Sequence, residues 1–218
     1  MNISLLRKVI SEAIGTAFLV MIVIGSGIMG QNLSTDTLSI LLANTLATGV
    51  GLTTLIWVFI AISGAHFNPA VTLVMLLRRE MTALDALAYI AAQFLGAMLG
   101  VLMVHAMFDL ALLQISSNFR GGVNLYLSEG IATFGLLMTI LSVRQLSLLA
   151  VAPAVGLYIS AGYWFTASTS FANPAVTVAR GFTDSFAGID PGFILPFIGA
   201  QLIAALFAMF LMRFLLDD

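Results

Sequence analysis

Gly64-Ala65-His66-Phe67-Asn68-Pro69-Ala70-Val71-Thr72-Leu73 decides how the chain is read, because it returns as Thr169-Ser170-Phe171-Ala172-Asn173-Pro174-Ala175-Val176-Thr177-Val178. The shared core is Phe, zero or one residue, then Asn-Pro-Ala-Val-Thr. Asn is a favoured helix cap, Pro suits the first helical position, and Ala-Val-Thr continues a helix. Each copy therefore predicts a loop, a cap and a helix of about two turns, ending near Arg78-Arg79 or Arg180-Gly181. A bilayer span needs about 20 residues, so neither helix crosses one alone. Short helices at membrane depth must line a cavity or pack inside protein.

Working outward, the 218 residues are 61% hydrophobic and 8% charged, which reads as a polytopic membrane protein. The length fits one domain. The net charge of −2 supplies no basic surface for nucleic acid. The absence of cysteine excludes disulfides, thiolate metal sites and Cys nucleophiles. The basic start, Arg7-Lys8, precedes an apolar run that is too long for a signal peptide and carries Glu12, so it reads as a retained first span.

The spans predicted from hydropathy are Val9–Met29, Leu38–Ile62, Leu84–Met107, Leu125–Val143, Leu146–Trp164 and Gly192–Leu216. Gly30–Thr37 reads as a polar loop, and Pro153 and Pro196 as kinks inside spans. The halves repeat. Ser11-Glu12 and Thr16 match Ser128-Glu129 and Thr133, and Ile90-Ala91-Ala92-Gln93 matches Ile198-Gly199-Ala200-Gln201. We read residues 1–123 and 124–218 as two repeats of one channel domain. Three spans and a half-helix per repeat make the second copy inverted. With the N-terminus inside, six Arg and Lys lie on the cytoplasmic side, and only Arg120 and Arg180 lie outside.

Paired Asn-Pro-Ala boxes, the first preceded by Ser63-Gly64-Ala65-His66, resemble the aquaporins, the major intrinsic protein family. The resemblance covers nearly the whole chain. It implies an all-α inverted repeat of six transmembrane helices and two re-entrant half-helices, assembled as a homotetramer with one pore per subunit in a lipid bilayer. The implied pore residues are Asn68, Pro69, Ala70, Asn173, Pro174 and Ala175. Both Asn amides donate to passing water or small neutral solutes, and the two helix N-termini make a positive centre that disfavours cations. Glu12 and Glu129 are intramembrane acids, which are candidates for ion coupling by default. The resemblance gives them a structural role instead, accepting hydrogen bonds from the loops beside each box, and gives His66 a part in loop geometry. No cofactor is implied. No second His, Cys or carboxylate sits at ligand spacing from His66 or His105, so neither reads as a metal site, and no nucleophile–base set suggests an enzyme.

The chain departs from the family at the outer filter. The residue after the second box is usually Arg; here it is Val176. The span 2 filter position falls on Thr48, the loop position on Ser170, and the span 5 position on Ala161 or Gly162, with Tyr163 entering if the spacing shifts. Thr, Ser, Val and Ala or Gly imply a wide filter without Arg, resembling bacterial members associated with arsenical permeation. Arg180 lies one turn beyond Val176. It reads either as a charge in the outer vestibule or as a surface Arg paired with Asp184, the latter preferred. The leading reading is a passive channel for water, glycerol-like solutes and arsenite or methylated arsenicals. The alternatives are a water-selective pore closed by Tyr163 or Arg180, and an ion-coupled transporter using Glu12 and Glu129. Localisation is read as the bacterial inner membrane with both termini cytoplasmic.

Overall fold

A computed structural model describes residues 3–216, and the fold is all-α, with no strand among those residues. The helices are α1 (Leu5–Leu33), α2 (Thr37–Phe59), α3 (Pro69–Leu77), α4 (Ala83–Met107), α5 (Val123–Leu146), α6 (Val151–Phe165), α7 (Pro174–Arg180) and α8 (Ile194–Leu216). Five of the segments, including Pro191–Leu216, are long and apolar enough to cross a membrane. The sixth, α6, is apolar but has only 15 residues. The predicted fifth span began at Leu146, but Ser147–Ala150 forms a turn and the helix starts at Val151.

One other boundary and the two prolines differ from expectation. The polar residues Gln31 and Asn32 belong to α1, which runs past its apolar stretch to Leu33. The reason is tertiary: Gln31 Oε1 accepts from the backbone N–H of Phe186 at 2.8 Å. Pro153 and Pro196 do not kink spans. They sit in the first turns of α6 and α8, where a missing N–H costs no helical bond.

Apolar side chains cover the outside as well as filling the core. Leucine and phenylalanine side chains such as Leu46, Leu99 and Phe207 face outward. Glu12, Glu129, Gln93, Gln201 and Arg180 lie inside. The spans approach closely where glycine leaves room. A Cβ on Gly96 would overlap the Ala13 carbonyl of α1, and one on Gly100 the Ala17 carbonyl. Those glycines let α1 and α4 pack backbone to backbone, as small residues do in membrane bundles. Gly15 has a different task, since its missing side chain is replaced by the Phe67 ring.

A candidate pore between two half-helices

The two short helices meet N-terminus to N-terminus. Asn68 caps α3 by accepting from the Ala70 N–H at 2.9 Å, and Asn173 caps α7 by accepting from Ala175 and Val176. Each side chain also crosses to the other loop. Asn68 Nδ2 donates to the Ala172 carbonyl at 2.7 Å, and Asn173 Nδ2 to the Phe67 carbonyl at 2.8 Å. Pro69 and Pro174 occupy the first helical positions, and Ala70 and Ala175 are fully buried behind them. One amide thus caps its own helix, ties the opposite loop and keeps one N–H over.

The loops leading into the caps hold an unusual backbone. Ala65 and Phe67 have φ of 53° and 48°, and Ser170 and Ala172 have 53° and 47°. These left-handed conformations cost energy in non-glycine residues and persist only where surroundings fix them. The fixing groups are the two buried glutamates. Glu12 accepts from the backbone N–H of His66 at 3.0 Å and of Phe67 at 2.7 Å, and from Ser63 Oγ at 2.6 Å. Glu129 accepts from the N–H of Phe171 and Ala172, both at 2.9 Å. Gln93 then links Glu12 to Thr72, and Gln201 links Glu129 to Thr177. His66 Nδ1 bonds the Thr72 hydroxyl at 3.1 Å, and its ring packs edge-on to Tyr89.

The matched φ pattern gives a register that the sequence string concealed. Phe67 corresponds to Ala172, and Phe171 to His66, so the Phe of the two copies is not equivalent. Phe67 fills the space at Gly15. Phe171 lies under a guanidinium: Arg180 Cζ stands 3.3 Å from its ring centroid.

A cavity of about 340 Å³ runs past both Asn side chains. At one end it is bordered by Lys8, Glu80, Asp85 and Arg144. At the other it is bordered by Thr48, Tyr163, Ser170, Val176 and Arg180. Of the span 5 candidates, Ala161 is exposed and does not border this cavity. Gly162 is buried against Ser170, and the side chain that reaches the cavity is Tyr163. Its hydroxyl lies 3.2 Å from Thr48 Oγ1. Ser170 Oγ is buried without a partner among the described residues.

Arg180 departs most from expectation. It is not a surface residue paired with Asp184. It is 2% exposed, and its Nε donates to the Ala187 carbonyl. Asp184 instead accepts from the Ser117 N–H and hydroxyl, bonds that hold its carboxyl below the usual range. His105 is fully buried between the Leu112 carbonyl and the Thr183 hydroxyl. Arg120 was read only as an outside charge. It donates to the carbonyls of Gly188, Ser168 and Phe186, and so fastens three loop segments. No sequence signal marks that role, because its partners are backbone oxygens.

The family described as Major intrinsic protein matches residues 1–147. The chain belongs to that family. It is 50% identical over 213 residues to aquaglyceroporin AqpS of Rhizobium meliloti (strain 1021), covering 98% of this chain and 91% of that one. It is 34% identical over 148 residues to glycerol uptake facilitator protein-like 6 of Lactiplantibacillus plantarum, covering 64% of each. The X-ray structure of the aquaglyceroporin from Plasmodium falciparum superposes with a TM-score of 0.72 at 25% identity, covering 98% of both chains. Family and apolar helices together make this an integral, multi-pass membrane protein.

Proposed function

We propose that the protein is a passive channel for water and small uncharged solutes of glycerol size. The observation that carries this is the cavity bordered by both Asn side chains and reaching from Glu80 and Arg144 to Thr48 and Val176. Solutes exchange their hydration for the Asn amides and loop carbonyls, while the facing helix N-termini repel cations. Tyr163 does not argue for closure. Its hydroxyl is tied to Thr48 on α2, the helix that packs directly against α6, so the ring lies along one wall. Val176 and Ser170 contribute only small side chains to that end of the cavity.

Neutral polyhydroxyl solutes suit such a filter. Glycerol is the first candidate, and arsenite in its neutral trihydroxide form or a methylated arsenical is the second. The names of the relatives, an aquaglyceroporin and a glycerol uptake facilitator-like protein, support the first. An ion-coupled transporter is disfavoured because both oxygens of Glu12 and of Glu129 already accept hydrogen bonds that hold the loops. We place the protein in a bacterial inner membrane as a homotetramer, with both termini and the Arg78–Arg144 end cytoplasmic.

Stopped-flow swelling of proteoliposomes decides it. Water, glycerol and neutral arsenite should each permeate faster than through empty vesicles, without saturation and without a pH or sodium gradient. Water permeation alone would favour the reading in which Tyr163 and Arg180 close the pore to larger solutes.

A further inference from the structure

We propose that Arg180 is the cationic, solute-contacting group of the outer constriction, reaching it from one helical turn beyond Val176. This rests on the channel reading above.

Arg180 ends α7, is 2% exposed, and borders the cavity together with Tyr163, Ser170 and Val176. Its Nε is committed to the Ala187 carbonyl. Its two terminal nitrogens have no hydrogen-bond partner among the described residues, and no carboxylate pairs with it there. A buried guanidinium with its donors unmet is costly, so such groups are satisfied by protein or by what enters the site. The charge is carried by the face of Phe171, with Cζ 3.3 Å from the ring centroid. That ring is held by the Glu129 bond to the Phe171 N–H and by Phe197, whose ring packs edge-on at 5.2 Å. The support is specific to this half of the molecule, since the matching position in the first loop is His66. The second guanidinium near the same ring, Arg120 at 5.1 Å, differs in kind. Its Nε and both terminal nitrogens already donate to carbonyls. Arg120 is a fastening and Arg180 a donor.

The ligand chemistry follows. Free guanidinium N–H groups at the cavity wall take an oxygen-rich neutral solute: water, a polyol or a small hydroxide. The same fixed charge opposes hydronium and metal cations at a second level, beyond the facing half-helix termini.

The test uses the full chain in proteoliposomes, reading water and glycerol swelling together with proton leak. Arg180→Met should change the glycerol-to-water ratio by at least about threefold and raise proton leak. Arg180→Lys should keep proton exclusion, because charge remains, yet still shift the ratio, because the planar fork is gone. Arg120→Met should lower yield or thermal stability and leave the ratio of the correctly folded fraction within about twofold of wild type. The proposal is overturned if Arg180→Met matches wild type in both ratio and leak, or if Arg120→Met shifts them as far. Should Arg180→Met fail to accumulate, Arg180→Lys decides through the ratio, and an unchanged ratio overturns the proposal. If wild type passes no glycerol, the solute range proposed above fails, while water and proton fluxes still report on Arg180.

Discussion

Asn68 and Asn173 show how much one side chain can be asked to do. The oxygen caps a helix, one N–H ties the opposite loop, and the other N–H is left over beside the cavity. An aspartate keeps the capping oxygens but loses the donor and sets a negative charge against the Ala172 or Phe67 carbonyl. It also cancels part of the positive field where the helix N-termini meet. Asn68→Asp and Asn173→Asp should each destabilise the protein by about 1–3 kcal/mol, and each should pass more cation current than wild type. Bilayer recordings check the second point; silence in both variants would count against the dipole account. The caps were legible in sequence because Asn followed by Pro is a local signal. Arg180 was not. Its i,i+4 spacing from Asp184 suggested a pair, but Ser117 captured the carboxylate and Phe171 and Ala187 captured the guanidinium. These partners are distant or backbone, which one-dimensional spacing cannot express.

Between elements, contact depends on what glycine omits and on what charge bridges. Gly96 of α4 faces the Ala13 carbonyl so closely that a Cβ would overlap backbone, whereas a Cβ on Gly199 of α8 would meet nothing within 4 Å. Gly96→Ala should therefore cost about 1–3 kcal/mol by forcing α1 and α4 apart, while Gly199→Ala should be neutral or slightly stabilising. Thermal unfolding of the two variants in detergent makes the comparison. A second link joins the end of α3 to the end of α5, where Glu80 accepts from Arg78 at 2.9 Å and from Arg144 at 2.6 Å. Partial burial pushes the Glu80 carboxyl up, but the hydrogen bonds and charges of Arg144 and Arg78 outweigh it and leave it below its ordinary 4.5. A depressed carboxylate contributes its stability fully above the unfolded value and loses it as pH falls through the folded one. Stability should thus be flat from neutrality down to about pH 5 and fall only below about pH 4. Glu80→Gln should lower stability near neutral pH and shrink that acid step. An equally large acid step in the variant would assign it to other carboxylates.

Across the whole molecule, the inward-facing network was partly legible and the candidate filter much less so. Glu12 and Glu129 stood out because an acid in an apolar span is rare and each precedes a Thr at the same spacing. The α6 contribution was ambiguous because a two-residue uncertainty turns a helix by about 200°, enough to exchange the exposed Ala161 for the buried Tyr163. That correction changes the engineering. Thr48 is the hydroxyl that holds Tyr163 against the wall, so Thr48→Phe both adds bulk and releases the tyrosine. Val176→Arg adds a guanidinium one turn inside Arg180, and two like charges in one constriction must share a small volume. The double variant should lose glycerol permeation by about tenfold or more relative to water, since steric narrowing and tighter donor geometry act together. Val176→Arg alone should give a smaller shift, because Thr48 and Tyr163 still leave the opposite wall as it is. Swelling rates for water and glycerol, measured on wild type and both variants, test the assignment. A double variant with the wild-type glycerol-to-water ratio would mean that Thr48 and Val176 do not border the narrowest point, and that selection occurs nearer the Asn pair.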